Sequence, residues 1–327
     1  MTAELGALAR AAGAAWGGLL GRPVLVQARE NAVFRAQLAD GTAVALRLHR
    51  AGYNSARGIE AELLLCERLA DAGFACPWPW RTRAGGFTAP LPDGRCASIV
   101  SWVAGRPLGS VPATELPLAP RWRAVGALLA DFHASADAVA PELPDRPDWG
   151  AAALTGTGIW GDPLADPGLA AEDRALLARA RAAAADMLAG FGGGDLGVIH
   201  GDPLADNMLS TEAGLVLIDF DDCGPGFRAY DLATALIGLA GSPDLAPAAG
   251  ALADGYRAAG GPASEAALEA LPLFAMLRAQ ASSAWAQSRC PQGDARRAAY
   301  RSRALALSRA WLGGGRFPPP SAAVPSR

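Results

Sequence analysis

Between Val198 and Asp222 the chain carries two short apolar runs, each delivering a carboxylate. Val198-Ile199 leads into His200-Gly201-Asp202, and Leu215 to Ile218 leads into Asp219. Asn207 stands between them, five residues after Asp202. Apolar runs this short, bounded by glycine and polar residues, read as strands rather than helices. Two such strands would set a carboxylate, a carboxamide and a second carboxylate at the mouth of a single site. The rest of the fold has to support that edge.

The bulk properties limit what such a site can serve. A chain of 327 residues is long enough for one large domain or for two lobes with separate cores. It is 51% hydrophobic and 19% charged, with a net charge of −3, so a globular body is expected and neither a nucleic-acid nor a polyanion-binding surface. No uncharged apolar stretch is long enough for a membrane span, and the N-terminus lacks the basic start and apolar core of a secretory signal. Cys66, Cys76, Cys96, Cys223 and Cys290 are scattered without a C-x-x-C pair. This argues against a zinc site or disulfide framework and for a reducing, cytoplasmic setting. There is no lysine anywhere. A lysine-dependent phosphate loop or a Schiff base is therefore excluded.

The first third of the chain reads as strand-rich. A helix is expected over residues 3–20, with Leu5, Leu8 and Trp16 inward, followed by strands at Val24–Ala28, Ala32–Leu38 and Ala43–His49. Asp40-Gly41 marks the hairpin turn before the third strand. The polar connection Arg29-Glu30-Asn31 would lie over phosphates in a nucleotide-binding sheet. On the third strand, Ala43, Ala45, Arg47 and His49 share one face, and Val44, Leu46 and Leu48 the other. Judged on this strand alone, Arg47 is expected to be a solvated edge residue. Ile59–Asp71 has helical periodicity, with Glu60 and Glu62 in its first turn and Gly73 as its stop. A hairpin turning at Pro92-Asp93-Gly94 returns along Ala97–Val103.

At Ala104-Gly105-Arg106-Pro107 the pattern changes from strands to helices, which makes this the candidate hinge. Helices are expected over Arg121–Ala134, over Ala171–Leu188, from Tyr230 to about Leu239, and as two or three more to Leu312. Residues 137–168 read as irregular, and Asp162 and Asp166 there either line a substrate mouth or are simply solvated. Gly190–Gly194 is a connector and Cys223-Gly224-Pro225-Gly226 a turn. Asp231 either caps its helix or braces the loop at Asp202. Three divisions follow: an N-terminal lobe over 1–103, a helical lobe over 104–312, and a disordered Gly/Pro/Ser-rich tail over 313–327. The fold class is α+β, a small antiparallel-sheet lobe followed by a larger, mainly helical one.

Oxygen donors without a histidine or cysteine cluster suit Mg²⁺ rather than zinc. Phosphoryl transfer uses Mg²⁺ in this way, with the protein supplying position, charge and a base. Its template asks for an Asp to receive the acceptor's proton, an Asn a few residues on for metal, and an Asp at a nearby strand end for metal. Asp202, Asn207 and Asp219 match these in order. The template also asks for a cation on the third N-terminal strand paired to a glutamate on the following helix. Arg47 and Glu62 (or Glu60) stand at those places.

The motif His200-Gly201-Asp202 with Asn207, then Ile218-Asp219-Phe220-Asp221, resembles the aminoglycoside phosphotransferase and choline kinase family. So does Gly226 to Ala233, with its Tyr230-Asp231-Leu232-Ala233. The likeness is specific over 198–233 and extends as an order of parts over roughly 24–312. It implies a two-lobed protein-kinase-like fold, with the nucleotide in the N-terminal lobe and the catalytic loop and acceptor site in the helical one. It also implies ATP with Mg²⁺, a small-molecule hydroxyl acceptor, and adenine against the backbone near Trp102-Val103. Two departures stand out. Arg47 replaces the family's usual lysine, so the chain is either an active kinase using arginine or a degenerate nucleotide-binding regulator. His200-Gly201 replaces the His-Arg of protein kinases, which argues against a protein substrate. A metal-dependent phosphoesterase would leave the N-terminal sheet unexplained. From Leu232 onward arginines outnumber acidic residues ten to five. That balance leans away from a polycationic antibiotic and toward an amino alcohol, a hydroxy amino acid or a sugar.

Overall fold

The computed structural model describes residues 2–28 and 31–318. Arg29 and Glu30 of the expected phosphate-covering connection, and residues 319–327 of the expected disordered tail, lie outside the described residues. In chain order the first elements are α1 (Thr2–Ala12), β1 (Val24–Ala28), β2 (Ala32–Gln37), β3 (Ala43–Leu48), α2 (Ala56–Asp71), β4 (Thr88–Pro90) and β5 (Cys96–Ser101). Then come β6 (Arg106–Pro107), α3 (Leu118–Val139), α4 (Ala151–Thr155), α5 (Ala171–Leu188), β7 (Leu196–Ile199), β8 (Met208–Thr211), β9 (Gly214–Leu217) and β10 (Gly224–Phe227). The last are α6 (Arg228–Leu236), α7 (Leu245–Ala258), α8 (Glu265–Glu269), α9 (Leu271–Arg289) and α10 (Ala295–Leu312). This is the α+β class, an antiparallel-sheet region followed by a helical one.

The chain divides into two compact units. The first comprises the chain through Gly105 together with Ala138–Arg146 and Thr211–Asp221. Its sheet is antiparallel in the order β1-β2-β3-β5-β4. The alternation read from β3 decides which helix covers which face. Val44, Leu46 and Leu48 pack with Phe34, Ala97 and Ile99 and with Ala9 and Ala12 of α1. Ala45 joins the opposite layer, where Ile59 and Leu63 of α2 meet Phe87 and Val100. Because side chains alternate, Arg47 and His49 project toward α2. The small Ala43 and Ala45 leave room there.

α2 is well bounded. Ser55 Oγ accepts from the Gly58 N–H at 3.0 Å, an N-cap. At the other end Gly73 takes φ +92, with Gly73 N donating to Ala70 O and Phe74 N to Leu69 O. These two bonds form a Schellman motif. Glu60, the alternative partner for Arg47, points elsewhere. It accepts from the N–H groups of Phe87 and Thr88 and from Thr88 Oγ1, holding the start of β4. The first helix ends at Ala12, short of the expected span, and a single 3₁₀ turn over Gly13–Trp16 follows. Glycines at 13, 17 and 18 account for the early stop.

His49 is buried on the α2 face, with Nε2 2.8 Å from Ser98 Oγ. Burial, reinforced by the Arg47 and Arg146 charges and opposed by Asp221, lowers its pKa from 6.5 to about 4. Between these pH values the unfolded chain takes a proton that the folded chain refuses. Stability is therefore lost as pH falls, by roughly 3 kcal/mol for this group. In urea titrations, His49→Gln should lose less stability than the parent between pH 6.5 and 4.

The second unit comprises Arg106–Asp137, Pro147–Ser210 and the chain from Asp222 onward. Its helices pack through small residues. A Cβ on Gly126 of α3 would collide with the Leu252 carbonyl of α7, so the two backbones touch there. β7 pairs antiparallel with β10, Ile199 opposite Gly224 and Leu196 opposite Phe227. β10 corrects the sequence reading, which took Cys223–Gly226 for a turn. The glycine and proline content hid a strand, and Gly226 is required because Trp149 Cβ and Ile199 fill the space above it. Four helices rather than two or three lie between Leu245 and Leu312, α8 being short. Among the described residues no helix is long and apolar enough to cross a membrane.

Candidate active site

The first unit gathers Arg47, Glu62 and Asp219, together with Asp221, Arg146 and Asn31. The Arg47 side chain is 8% exposed, so its solvated reading on the strand pattern alone does not hold. Its Nη1 donates to Glu62 Oε1 at 3.1 Å. Its Nη2 donates to Asp219 and, at 2.9 Å, to Asp221 Oδ1. The planar fork lets one cation hold the α2 glutamate with one nitrogen and two aspartates with the other, which a lysine could not do. Burial opposes its charge, but Asp221, then Asp219 and Glu62, more than offset that and raise its pKa further.

Arg146 is the second cation in this cluster. It reaches Glu62 Oε2 at 3.4 Å, the Phe220 carbonyl at 2.8 Å and the Asp221 carbonyl at 2.6 Å. Asp221 is thus a brace: it takes Arg47 and Asn31 on its carboxylate and Asn54 and Arg146 on its carbonyl. Burial would raise its pKa, yet Arg47, His49, Asn31 and Arg146 hold it below the usual carboxylate range. Glu62 goes the other way, pushed up by burial and then by Asp221 against the pull of both arginines.

Asp219 differs from its neighbours. Its side chain is 41% exposed, and its backbone lies at φ +67, a left-handed conformation rare for a residue other than glycine. Such strain costs about 1–3 kcal/mol and persists only where the surroundings enforce it. Here the buried Phe220 and the bonds of Arg146 to the next two carbonyls enforce it. Trp102 lies just past β5, its N–H donating to Ala43 O at 3.2 Å and its ring 5.2 Å from the Arg35 guanidinium. It and Val103 are partly exposed and stand apart from the Arg47 cluster in the sheet register.

The second unit holds Asp202 and Asn207. Asn207 Nδ2 donates to the Asp202 carbonyl at 2.8 Å and to its Oδ2 at 3.2 Å. Asp202 Oδ1 receives Arg278 Nη2 at 2.5 Å. The loop beneath is braced by Asp231, whose oxygens accept from the N–H groups of His200 at 2.7 Å and Gly201 at 2.8 Å. Of the two roles open to Asp231, bracing is the one found. His133 packs against the same carboxylate at 3.2 Å and against Tyr256 Oη at 2.9 Å, a structural role. Gly201 has φ +79, and a Cβ there would strike the Asp222 carbonyl, so an arginine cannot occupy the position. Asp162 caps Leu164 and pairs with Arg181, while Asp166 is buried against Arg301. Asp166 is therefore not a solvated loop carboxylate, whereas the Asp162 side chain stays 36% exposed.

Among the described residues no group of three or more His, Cys, Asp or Glu could hold a metal ion. Asp219 in the first unit and Asn207 in the second each offer a side-chain oxygen of the kind a hard cation takes. Sequence reasoning missed Arg146, Asn31 as a brace, and Arg278. Arg146 lies in an aperiodic Pro/Asp-rich segment that offers no local signal. Arg278 had one: it is a lone charge in the apolar run Leu271–Ala279.

A profile of the phosphotransferase enzyme family matches residues 24–269. A homoserine kinase of Methylorubrum populi is 37% identical over 177 residues, 53% of this chain and 50% of that protein. The matched stretch thus spans about half the length of that curated relative. A microcompartment-associated aminopropanol kinase superposes with a TM-score of 0.80 at 25% identity, covering 94% of this chain and 98% of that one. An amicoumacin kinase solved with AMP-PNP and Ca²⁺ shares the fold, with a TM-score of 0.69 at 17% identity over 86% and 87% of the two chains.

Proposed function

Because this chain belongs to the phosphotransferase enzyme family, we propose that it is an ATP-dependent, Mg²⁺-assisted kinase of a small amino alcohol or hydroxy amino acid. Asp202 serves as the base that orients and deprotonates the acceptor hydroxyl. Asn207 and Asp219 hold the metal, which supplies charge neutralisation on the transferring phosphoryl group. Arg47, oriented by Glu62, holds the α- and β-phosphates, and the backbone at Trp102 and Val103 meets adenine. Since the Trp102 N–H already donates to Ala43, adenine is met there by the Trp102 carbonyl and by Val103. On this reading residues 1–103 form the nucleotide lobe and 104–312 the lobe with the catalytic loop and acceptor site.

The observation that carries the reading is the buried Arg47–Glu62 pair at 3.1 Å. Phosphoryl transfer depends on a fixed cation at this place, and arginine supplies it with its partner in position. The alternative of a regulator without transferase activity draws only on the missing lysine, and the pairing of Arg47 with Glu62 supports the active reading over it. The acceptor class draws on two relatives named for homoserine and aminopropanol, each a short chain bearing a hydroxyl and an amino group. The arginine excess after Leu232 points the same way.

The test is ATP turnover with Mg²⁺ against L-homoserine, aminopropanols, choline and an aminoglycoside. Phosphorylation of one of the first two classes is the expected result. Tight Mg·ATP binding with no transfer to any hydroxyl acceptor would restore the regulator.

A further inference from the structure

Arg278 sits mid-way along α9, flanked by the buried Leu277 and Ala279, with its own side chain only 3% exposed. Its Nη2 lies 2.5 Å from Asp202 Oδ1 and its Nη1 3.4 Å from the Gly201 carbonyl. The guanidinium carbon stands 4.6 Å over the Trp160 ring. Trp160 meets Trp149 edge-on at 5.0 Å, and Trp149 stacks on Tyr230 at 5.2 Å. Arg278 Nε is buried with no hydrogen-bond partner among the described residues. A cation is therefore clamped against Asp202 beside an aromatic wall, while the Asp202 side chain itself remains 22% exposed. Burying such a charge is costly, and an apolar residue of similar volume would pack there at less cost. Orientation of Asp202 does not require it either, because Asn207 already holds the other carboxylate oxygen.

We propose that Arg278 sets the charge an acceptor meets at Asp202, and so selects a zwitterionic hydroxy amino acid over an amino alcohol carrying only a positive charge. The inference rests on the reading of Asp202 as base and narrows the acceptor class given there. Without Arg278, Asp202 and the nearby Asp222 present two negative charges, which favour an ammonium group alone. With it, a positive charge stands among them and matches a molecule bearing both a carboxylate and an ammonium. An acceptor of a few carbons whose hydroxyl touches Asp202 keeps its other groups within about 7 Å. One unit charge at that range, in an effective dielectric of about 20, alters relative affinity by tenfold or more. Arg278 is a specificity residue, acting through the field it leaves at Asp202.

The probes are L-homoserine and 3-amino-1-propanol, the same chain and hydroxyl without the carboxylate. The parent protein should favour homoserine at least tenfold in kcat/KM. Arg278→Met, which keeps the stem and removes the charge, should shift that ratio at least tenfold toward 3-amino-1-propanol. Arg278→Lys should restore the ratio even where kcat stays reduced. An equal loss for both alcohols in Arg278→Met, with the ratio unmoved, would make the residue purely structural and overturn the proposal. So would a parent protein that prefers 3-amino-1-propanol, a result that needs no variant to fold. Calorimetric binding of both alcohols to the parent protein with AMP-PNP and Mg²⁺ reads the same ratio without turnover. Selective binding without turnover would sink the kinase reading and leave the charge selection standing. Equal binding, or none, would sink the charge selection.

Discussion

Replacing Arg47 with methionine should destabilise the protein by about 3–5 kcal/mol, the range seen when one member of a buried ion cluster is removed. The methionine fills the stem's space, so little of the loss comes from a cavity. The loss arises because Glu62 and Asp221 are buried and, among the described residues, keep Arg146, Asn31 and Asn54 as hydrogen-bond partners. Against a total of roughly 5–15 kcal/mol for an ordinary domain, this is a large share. Arg47→Lys should cost less but not nothing. A single ammonium can satisfy Glu62 or the aspartate pair, whereas the two guanidinium nitrogens satisfy both. Urea unfolding of the three proteins at pH 7 orders them: parent, lysine, methionine. If lysine proved as stable as the parent, the fork geometry would have no energetic weight. The absence of lysine at this position would then reflect composition alone.

Asp202→Asn should lower kcat by about 10²–10⁴-fold, the usual worth of a positioned base, while leaving ATP affinity within about twofold. The substitution is nearly isosteric. Its one remaining side-chain oxygen can accept from Arg278 Nη2, and Asn207 Nδ2 keeps its bond to the backbone carbonyl of residue 202, so the loop stays anchored while the charge and one side-chain bond are lost. The nucleotide is assigned to Arg47 and the residues at Trp102, which the substitution does not touch. Steady-state kinetics with the accepted alcohol and calorimetric titration of Mg·ATP separate the two effects. Turnover near the parent's would remove Asp202 from the role of base. A fall in ATP affinity matching the fall in kcat would mean that the loop had collapsed rather than lost its base.

Much of the antiparallel sheet could be read from residues. The hairpin at Asp40-Gly41, the alternation of β3 and the periodicity of α2 are local signals, set by turn chemistry and by which side chains share a face. The helix over Ala171–Leu188 was read to its ends for the same reason. β10 was not legible, because glycine and proline are read as turn residues and only the packing of Trp149 against Gly226 explains a strand there. Arg146 was invisible because its partners, Glu62 and the carbonyls of Phe220 and Asp221, are remote in sequence. Arg278 stood out as a charge in an apolar run, but nothing near it named Asp202 as its partner.

By itself the sequence determined the residue types and the spacing of the chemistry. Asp202 and Asp219 follow short strands with Asn207 between them, an arginine lies on the third strand, and a glutamate on the next helix. These follow from local periodicity and chain connectivity, which need no knowledge of what packs where. The tertiary structure alone decided the state of the charges. It buried Arg47 and gave it Glu62 rather than Glu60, turned Asp221 into a brace and Asp231 into a support for the loop, and set a second cation against Asp202. Burial and charge pairing join residues far apart along the chain. Whether an arginine is a solvated edge residue or the centre of a buried ion cluster is a property of its neighbours in space.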